Sequence, residues 1–205
     1  MGNKNKNIIK KRVNEVTVEV NDNGFTNRIS CFDLEESHDV PPDISRIAKI
    51  SLPIIETLGI SNPYVSMCPL PNIYGYSYVK EIHRELDSSV LIVDLDKAEE
   101  IMKYMGQDNE FLVGIIAHEL RHIWQGENDL KLYKSGMACL GPVDSDTCPA
   151  EIDADAFAIY WLSKVYGREI EECSEYVYQC EAMSQFKWLR AREVAAYKIM
   201  EGFRN

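Results

Sequence analysis

Two periods of apolar residues alternate along the chain. Residues 13–20 alternate with period two, placing Val16, Val18 and Val20 on one face. Asn21-Asp22-Asn23-Gly24 and a second run, Phe25 to Phe32, follow. Asn-Gly supplies the positive φ of a tight turn, so this stretch predicts a β-hairpin. After Pro41-Pro42-Asp43 the period lengthens: Ile44, Ile47, Ala48, Leu52 and Ile55 form one helical face that closes at Gly59, with Pro53 inside the run favouring a kink. Residues 64–94 return to strand character, as Tyr64 to Cys68, Tyr74 to Ile82 and Ser89 to Asp94, with a turn at Asp87-Ser88 pairing the last two. A helix over Asp96 to Met105 stops at Gly106.

The most continuous apolar run is Phe111 to Trp124. As a helix capped by Asp108 and ended by Gly126, it is apolar nearly all round, which places it at the centre of its domain. Gly114 within it costs about 1 kcal/mol relative to Ala, which suggests a second backbone packed close. The segment 127–147, with Gly136, Gly141 and Pro142, reads as a connection, partly helical at best. A further helix starts near Thr147-Cys148-Pro149 and runs to Val165 before Gly167, and Glu169 to Met200 reads as two more. Strands come early and helices late, with no repeat, low-complexity tract or linker, so we expect one α+β domain over residues 1–205.

Composition removes several function classes. The net charge is −11 with the acids spread out, which argues against nucleic acid, since phosphate binding needs clustered Lys and Arg. The one basic cluster, Lys4, Lys6, Lys10, Lys11 and Arg12, reads as a mobile tail over residues 1–12; no apolar signal-peptide core follows it. No stretch approaches the ~18–20 apolar residues of a membrane span, so a soluble, cytoplasmic protein is expected. The six cysteines form no C-x-x-C pair and are expected to be reduced, although Cys139 with Cys148 and Cys173 with Cys180 are close enough in sequence to bridge in an oxidising compartment.

The buried run contains His118-Glu119-Leu120-Arg121-His122. Residues four apart lie on one helical face, so both imidazoles can point at one metal ion. Glu119, turned about 100° from His118, can reach a water on that ion. Two imidazoles plus a carboxylate make the ligand and base set of a zinc hydrolase, but zinc needs a third protein ligand. Of the four histidines the other two are His38, in an acidic loop, and His83, which reads as a surface strand residue. None follows His122, and Gln125 and Asn128 stand where a metzincin carries Gly and His, which excludes that class. The helix after Pro149 offers Glu151-Ile152-Asp153-Ala154-Asp155. Glu151 and Asp155 share a face with Ala158 and Leu162, whereas Asp153 lies about 200° from Glu151 and should face solvent. Buried acids are costly unless paired or metal-bound, so Glu151 is read as the third ligand and Asp155 as the acceptor for a histidine's outer N–H. Arg121 is read as an ion-pair partner, and Cys148 as a helix-start thiol.

With these motifs together, the stretch from about Ser89 to Val165 resembles the gluzincin zinc metallopeptidases, a thermolysin-like group in which single-domain minigluzincins are nearest in size. The resemblance implies a zincin-like fold: a small mixed sheet with an edge strand packed on the metal helix, a second ligand-bearing helix and C-terminal helices. It assigns the substrate-binding edge to Ser89–Asp94 and implies Zn2+ as cofactor, a peptide or protein as substrate, and Glu119 as general base. The oxyanion donor is open among Tyr160, Tyr166, Tyr176, Tyr178, Arg168, Arg190 and Arg192. Two other readings stand beside this one: a zinc-bound module without catalysis, and a hydrolase of another amide such as a cell-wall cross-link.

Overall fold

The computed structural model describes residues 15–22, 25–33, 41–70, 73–84, 86–106, 109–138, 147–178 and 187–204. The basic segment 1–12, His38, Asp108, Cys139 and Cys180 lie outside them. The strands are β1 (Glu15–Asp22), β2 (Phe25–Phe32), β3 (Tyr64–Met67), β4 (Gly75–Tyr78) and β5 (Val90–Val93). The helices are α1 (Pro42–Leu58), α2 (Leu95–Met105), α3 (Glu110–Asn128), α4 (Leu130–Ala138), α5 (Pro149–Tyr166), α6 (Ile170–Tyr178) and α7 (Lys187–Arg204). The architecture is α+β, with a small mixed sheet and, among the described residues, seven helices.

The sheet order is β1-β2-β3-β5-β4. β3 and β5 run parallel, and the other neighbours are antiparallel. Val90-Leu91-Ile92-Val93 is buried on both faces, as an uninterrupted apolar strand must be. Leu91 and Val93 join the main core, while Val90 and Ile92 join a second cluster with Cys31 and Tyr78. β5 is therefore interior, and the expected edge strand at Ser89–Asp94 is corrected: the edge beside it is β4, antiparallel to β5 with Gly75 opposite Val93, and β1 is the edge at the far end. β4 is also shorter than the expected Tyr74–Ile82, because the chain turns through residues 80–84. Asp94 fixes the approach to β4. Its carboxylate caps α2 at Lys97 N and accepts from Leu70 N, and Lys97 Nζ donates to the carbonyls of Leu70 and Ile73.

α3 lies at the centre, with Leu112, Ile116, Ala117, Leu120 and Ile123 fully enclosed. It packs on α1, β4 and β5 on one side and on α4 and α5 on the other. Gly126 does not end it. A Cβ there would stand 2.1 Å from Val79 Cγ1, so Gly126 is a point of close packing against the residue that follows β4, and the helix continues to Asn128. The residue at its N-cap is Asn109. The segment after it is also more helical than its glycines suggest, because Asp129 caps α4 by accepting from Leu132 N. In α1, Leu52 is exposed, and Ser51 and Ile54 take the inward positions. α5 ends at Gly167, whose φ of +64° is the left-handed conformation that glycine adopts without strain. Cys31, Cys68, Cys148 and Cys173 are free thiols. Burial pushes Cys31 up to about 12 and Cys173 up to about 11, so neither is poised as a nucleophile. No helix among the described residues is long and apolar enough to cross a membrane.

Candidate metal centre

One turn of α3 separates His118 from His122, and the helix presents both rings to α5. Their Nε2 atoms are 3.0 Å apart. Glu151, in the first turn of α5, places Oε2 3.4 Å from His118 Nε2 and Oε1 3.5 Å from His122 Nε2. The approach of α5 depends on small residues: Ala150, Ala154, Ala156 and Ala158 are all buried. Gly136 of α4 lies against the same turn, where a Cβ would stand 2.9 Å from that of Ala150.

The outer ring nitrogens settle the tautomers. His118 Nδ1 is 2.8 Å from Asp155 Oδ1, and a carboxylate can only accept, so Nδ1 carries the proton. His122 Nδ1 is 2.9 Å from Gln125 Oε1. The Gln125 amide is oriented by its other end, because Nε2 donates to Ala150 O at 2.9 Å and to Asp153 Oδ2 at 2.8 Å. Its oxygen therefore faces His122, which also carries its proton on Nδ1. In the neutral form of each ring Nε2 is then the lone-pair nitrogen, and it faces the other ring and a carboxylate.

With both rings neutral, three electron-pair donors converge. His118, His122 and Glu151 can together hold a metal ion, their ligand atoms lying within 4.8 Å of one another. A proton on Nε2 is the alternative occupant of the same space, and the titration directions follow from it. Burial works against the imidazolium of His118, yet hydrogen bonds to Asp155 and Glu151 raise its pKa well above the ordinary 6.5. Burial opposes His122 in the same way, and Glu151 again outweighs it. Burial would raise Glu151, but hydrogen bonding to the two histidines holds it well below the usual carboxylate range.

The surrounding charges are matched. Arg192 of α7 is buried and donates Nε–H to Asp155 Oδ2 at 2.6 Å. Arg121 grips Asp153 with two bonds, of 2.8 and 3.0 Å, and stacks its guanidinium 3.6 Å from the Trp124 ring centroid. Asp153 therefore does not face solvent. α3 covers it, and Arg121 and Gln125 receive its carboxylate.

The cluster opens into a cavity of about 530 Å³. Glu119 lines it beside both histidines and Glu151, and residues 73–77 of the sheet edge form the opposite wall. Gly75 sits directly over Glu119: a Cβ there would meet Glu119 Cγ at 2.8 Å and Ile115 Cγ2 at 2.7 Å. Gly114 lines the same cavity.

Tyr133 is the site residue that the sequence reading missed. It lines the cavity from α4, its ring 6.4 Å from that of His122. The signal was the cap at Asp129 ahead of Leu130, Leu132 and Tyr133, which starts a second helix immediately after α3. Of the tyrosines and arginines expected as oxyanion donors, Tyr160, Tyr166, Arg168, Arg190 and Arg192 do not line the cavity. Tyr160 stacks on Phe203, Arg168 binds Glu110 and lies over Tyr166, Arg192 binds Asp155, and Arg190 is exposed. The side chains of Tyr176 and Tyr178 lie outside the described residues. His83 is in the turn after β4, against the Tyr78 ring, rather than in a strand. The Cys148 thiol is buried and turned to Ser135 O, 3.9 Å away. Comparison with protein-family models, curated proteins and solved structures finds no match to this chain.

Proposed function

We propose that this protein is a zinc-dependent peptidase of gluzincin type with a zincin-like fold. The observation that carries the reading is the convergence of two imidazole lone pairs and a carboxylate beside Glu119, in a cavity walled by a sheet edge. A donor set of two nitrogens and one oxygen suits zinc, and three protein ligands are the usual complement of a catalytic rather than a structural site.

His118 Nε2, His122 Nε2 and a Glu151 oxygen would hold the ion. Bound there, zinc would acidify a water and polarise a peptide carbonyl. Glu119 accepts the proton of the attacking water and delivers it to the leaving amine nitrogen. The Tyr133 phenol donates its O–H to the carbonyl oxygen as that atom gains charge. The phenol keeps its proton until then, because burial pushes its pKa up and Tyr76, Glu119 and Glu151 push it further. The substrate lies extended along the edge of β4 that β5 does not pair, and backbone hydrogen bonds hold it there. Phe111, Ile115 and Met137 offer an apolar wall to one of its side chains. Among the described lining residues there is no Lys or Arg to anchor a terminal carboxylate, which favours internal peptide bonds over a C-terminal residue.

The test combines zinc content with hydrolysis of an unfolded protein and of cell-wall cross-link peptides. Glu119→Gln should keep zinc and lose peptide hydrolysis by at least about 10²-fold. Glu151→Ala should lose most of the zinc. Undiminished hydrolysis by Glu119→Gln would overturn the mechanism. Stoichiometric zinc in a wild type that cleaves no amide would make the site a non-catalytic module, and cleavage of the cross-link peptides alone would make the protein a hydrolase of that other amide.

A further inference from the structure

The two histidines do not have equivalent partners. His118 has a carboxylate behind it, whereas His122 has the side-chain amide of Gln125, three residues further along the same helix and completely buried. A fully buried glutamine costs free energy unless both ends of the amide are satisfied. Here all three of its bonds are directed. The oxygen accepts from His122 Nδ1–H, and the nitrogen donates to Asp153 Oδ2 and to Ala150 O. Ala150 is the residue immediately before Glu151.

We propose that Gln125 is the positioning residue of His122, fixing its Nδ1–H tautomer and tying it to the peptide beside Glu151. One side chain thereby sets the orientation of one ligand and its distance to another that lies on a different helix. Asp153 and Arg121 complete the device. Asp153 orients the amide, and the two-bond grip of Arg121 holds Asp153 in place. A neutral amide suits this position better than a carboxylate would. Asp153 stands 2.8 Å from the amide nitrogen, and a second anion there would face it directly. Asp155 already has Arg192 and Asp153 already has Arg121, so Gln125 adds an acceptor without adding a charge to be balanced.

This inference rests on the metal-site reading, so its test uses zinc alone and needs no substrate. Zinc affinity is measured by competition with a chelating dye, and the histidine tautomers by long-range proton–nitrogen correlation NMR on the zinc-loaded protein. In the wild type both His118 and His122 should carry Nδ1–H with Nε2 toward the ion. Gln125→Met, of nearly the same size but without an acceptor, should weaken zinc binding about 10–100-fold. It should also abolish the protected Nδ1–H signal of His122 while leaving that of His118. Gln125→Glu keeps an acceptor and should retain the His122 signal, with a smaller loss of affinity. A purely structural glutamine would lower thermal stability without selecting His122, so Gln125→Met affinity within twofold of wild type overturns the inference. So does a wild-type His122 protonated at Nε2, a measurement that requires no variant to fold. A wild type that binds no zinc overturns the metal-site reading itself, and this inference with it.

Discussion

At the scale of single residues, position matters more than residue type. Gly75 makes no hydrogen bond to the metal cluster, yet it is the residue that allows β4 to lie against Glu119. In Gly75→Ala the new methyl group and the Glu119 side chain compete for one volume. A displacement of about 1 Å in a reacting group can cost on the order of 10²-fold in rate. We therefore expect kcat to fall by about that factor while zinc affinity stays at the wild-type value, and parallel measurement of the two separates displacement of the base from damage to the metal cluster. Helical phase pairs His118 with His122 and Glu151 with Asp155, and the cost of burying acids without a partner is what suggests that the two pairs meet. Gln125 was visible at the same helical spacing, but its role depends on an amide orientation set by Asp153 and Ala150 across the helix interface. No pattern within α3 encodes that.

At the scale of elements, most boundaries followed from local chemistry and the errors came from packing. Gly59, Gly106 and Gly167 stop their helices as expected. Gly126 has the same appearance in the sequence but serves another purpose, since Val79 occupies the place its side chain would need. Gly126→Ala should consequently lower stability by about 1–3 kcal/mol through overpacking. In a chain of this size that is a drop of roughly 2–12 °C in Tm, readable by thermal denaturation. Val79→Ala in the same chain should restore part of it. The edge strand differs from expectation for a related reason. The apolar run at Val90–Val93 identifies a strand strongly, but burial on both faces marks it as interior, and the weaker Gly75–Tyr78 takes the edge. Sheet order is set by pairing between distant segments, which strand signals taken one at a time do not contain.

At the scale of the whole molecule, the proposed ion would join α3 to α5, the two helices at its centre. A ligand that binds only the folded state stabilises it by about 4 kcal/mol at a thousandfold excess over Kd. Chelation should then lower Tm by on the order of 10 °C, and added zinc should restore it, whereas a Tm indifferent to chelator would mean that no ion is held there. The C-terminal helix is part of the same construction. Its Arg192 neutralises Asp155, which in turn orients His118, although α7 carries none of the residues that would hold the ion. That arrangement imposes an order on biosynthesis. A nascent chain carries both histidines, Glu119 and Glu151 before α7 has left the ribosome. Until α7 docks, Asp155 lacks the buried guanidinium that holds its second oxygen. On the proposed reading, the centre would be complete only once α7 has docked, and a chain still being synthesised would not yet cut its neighbours.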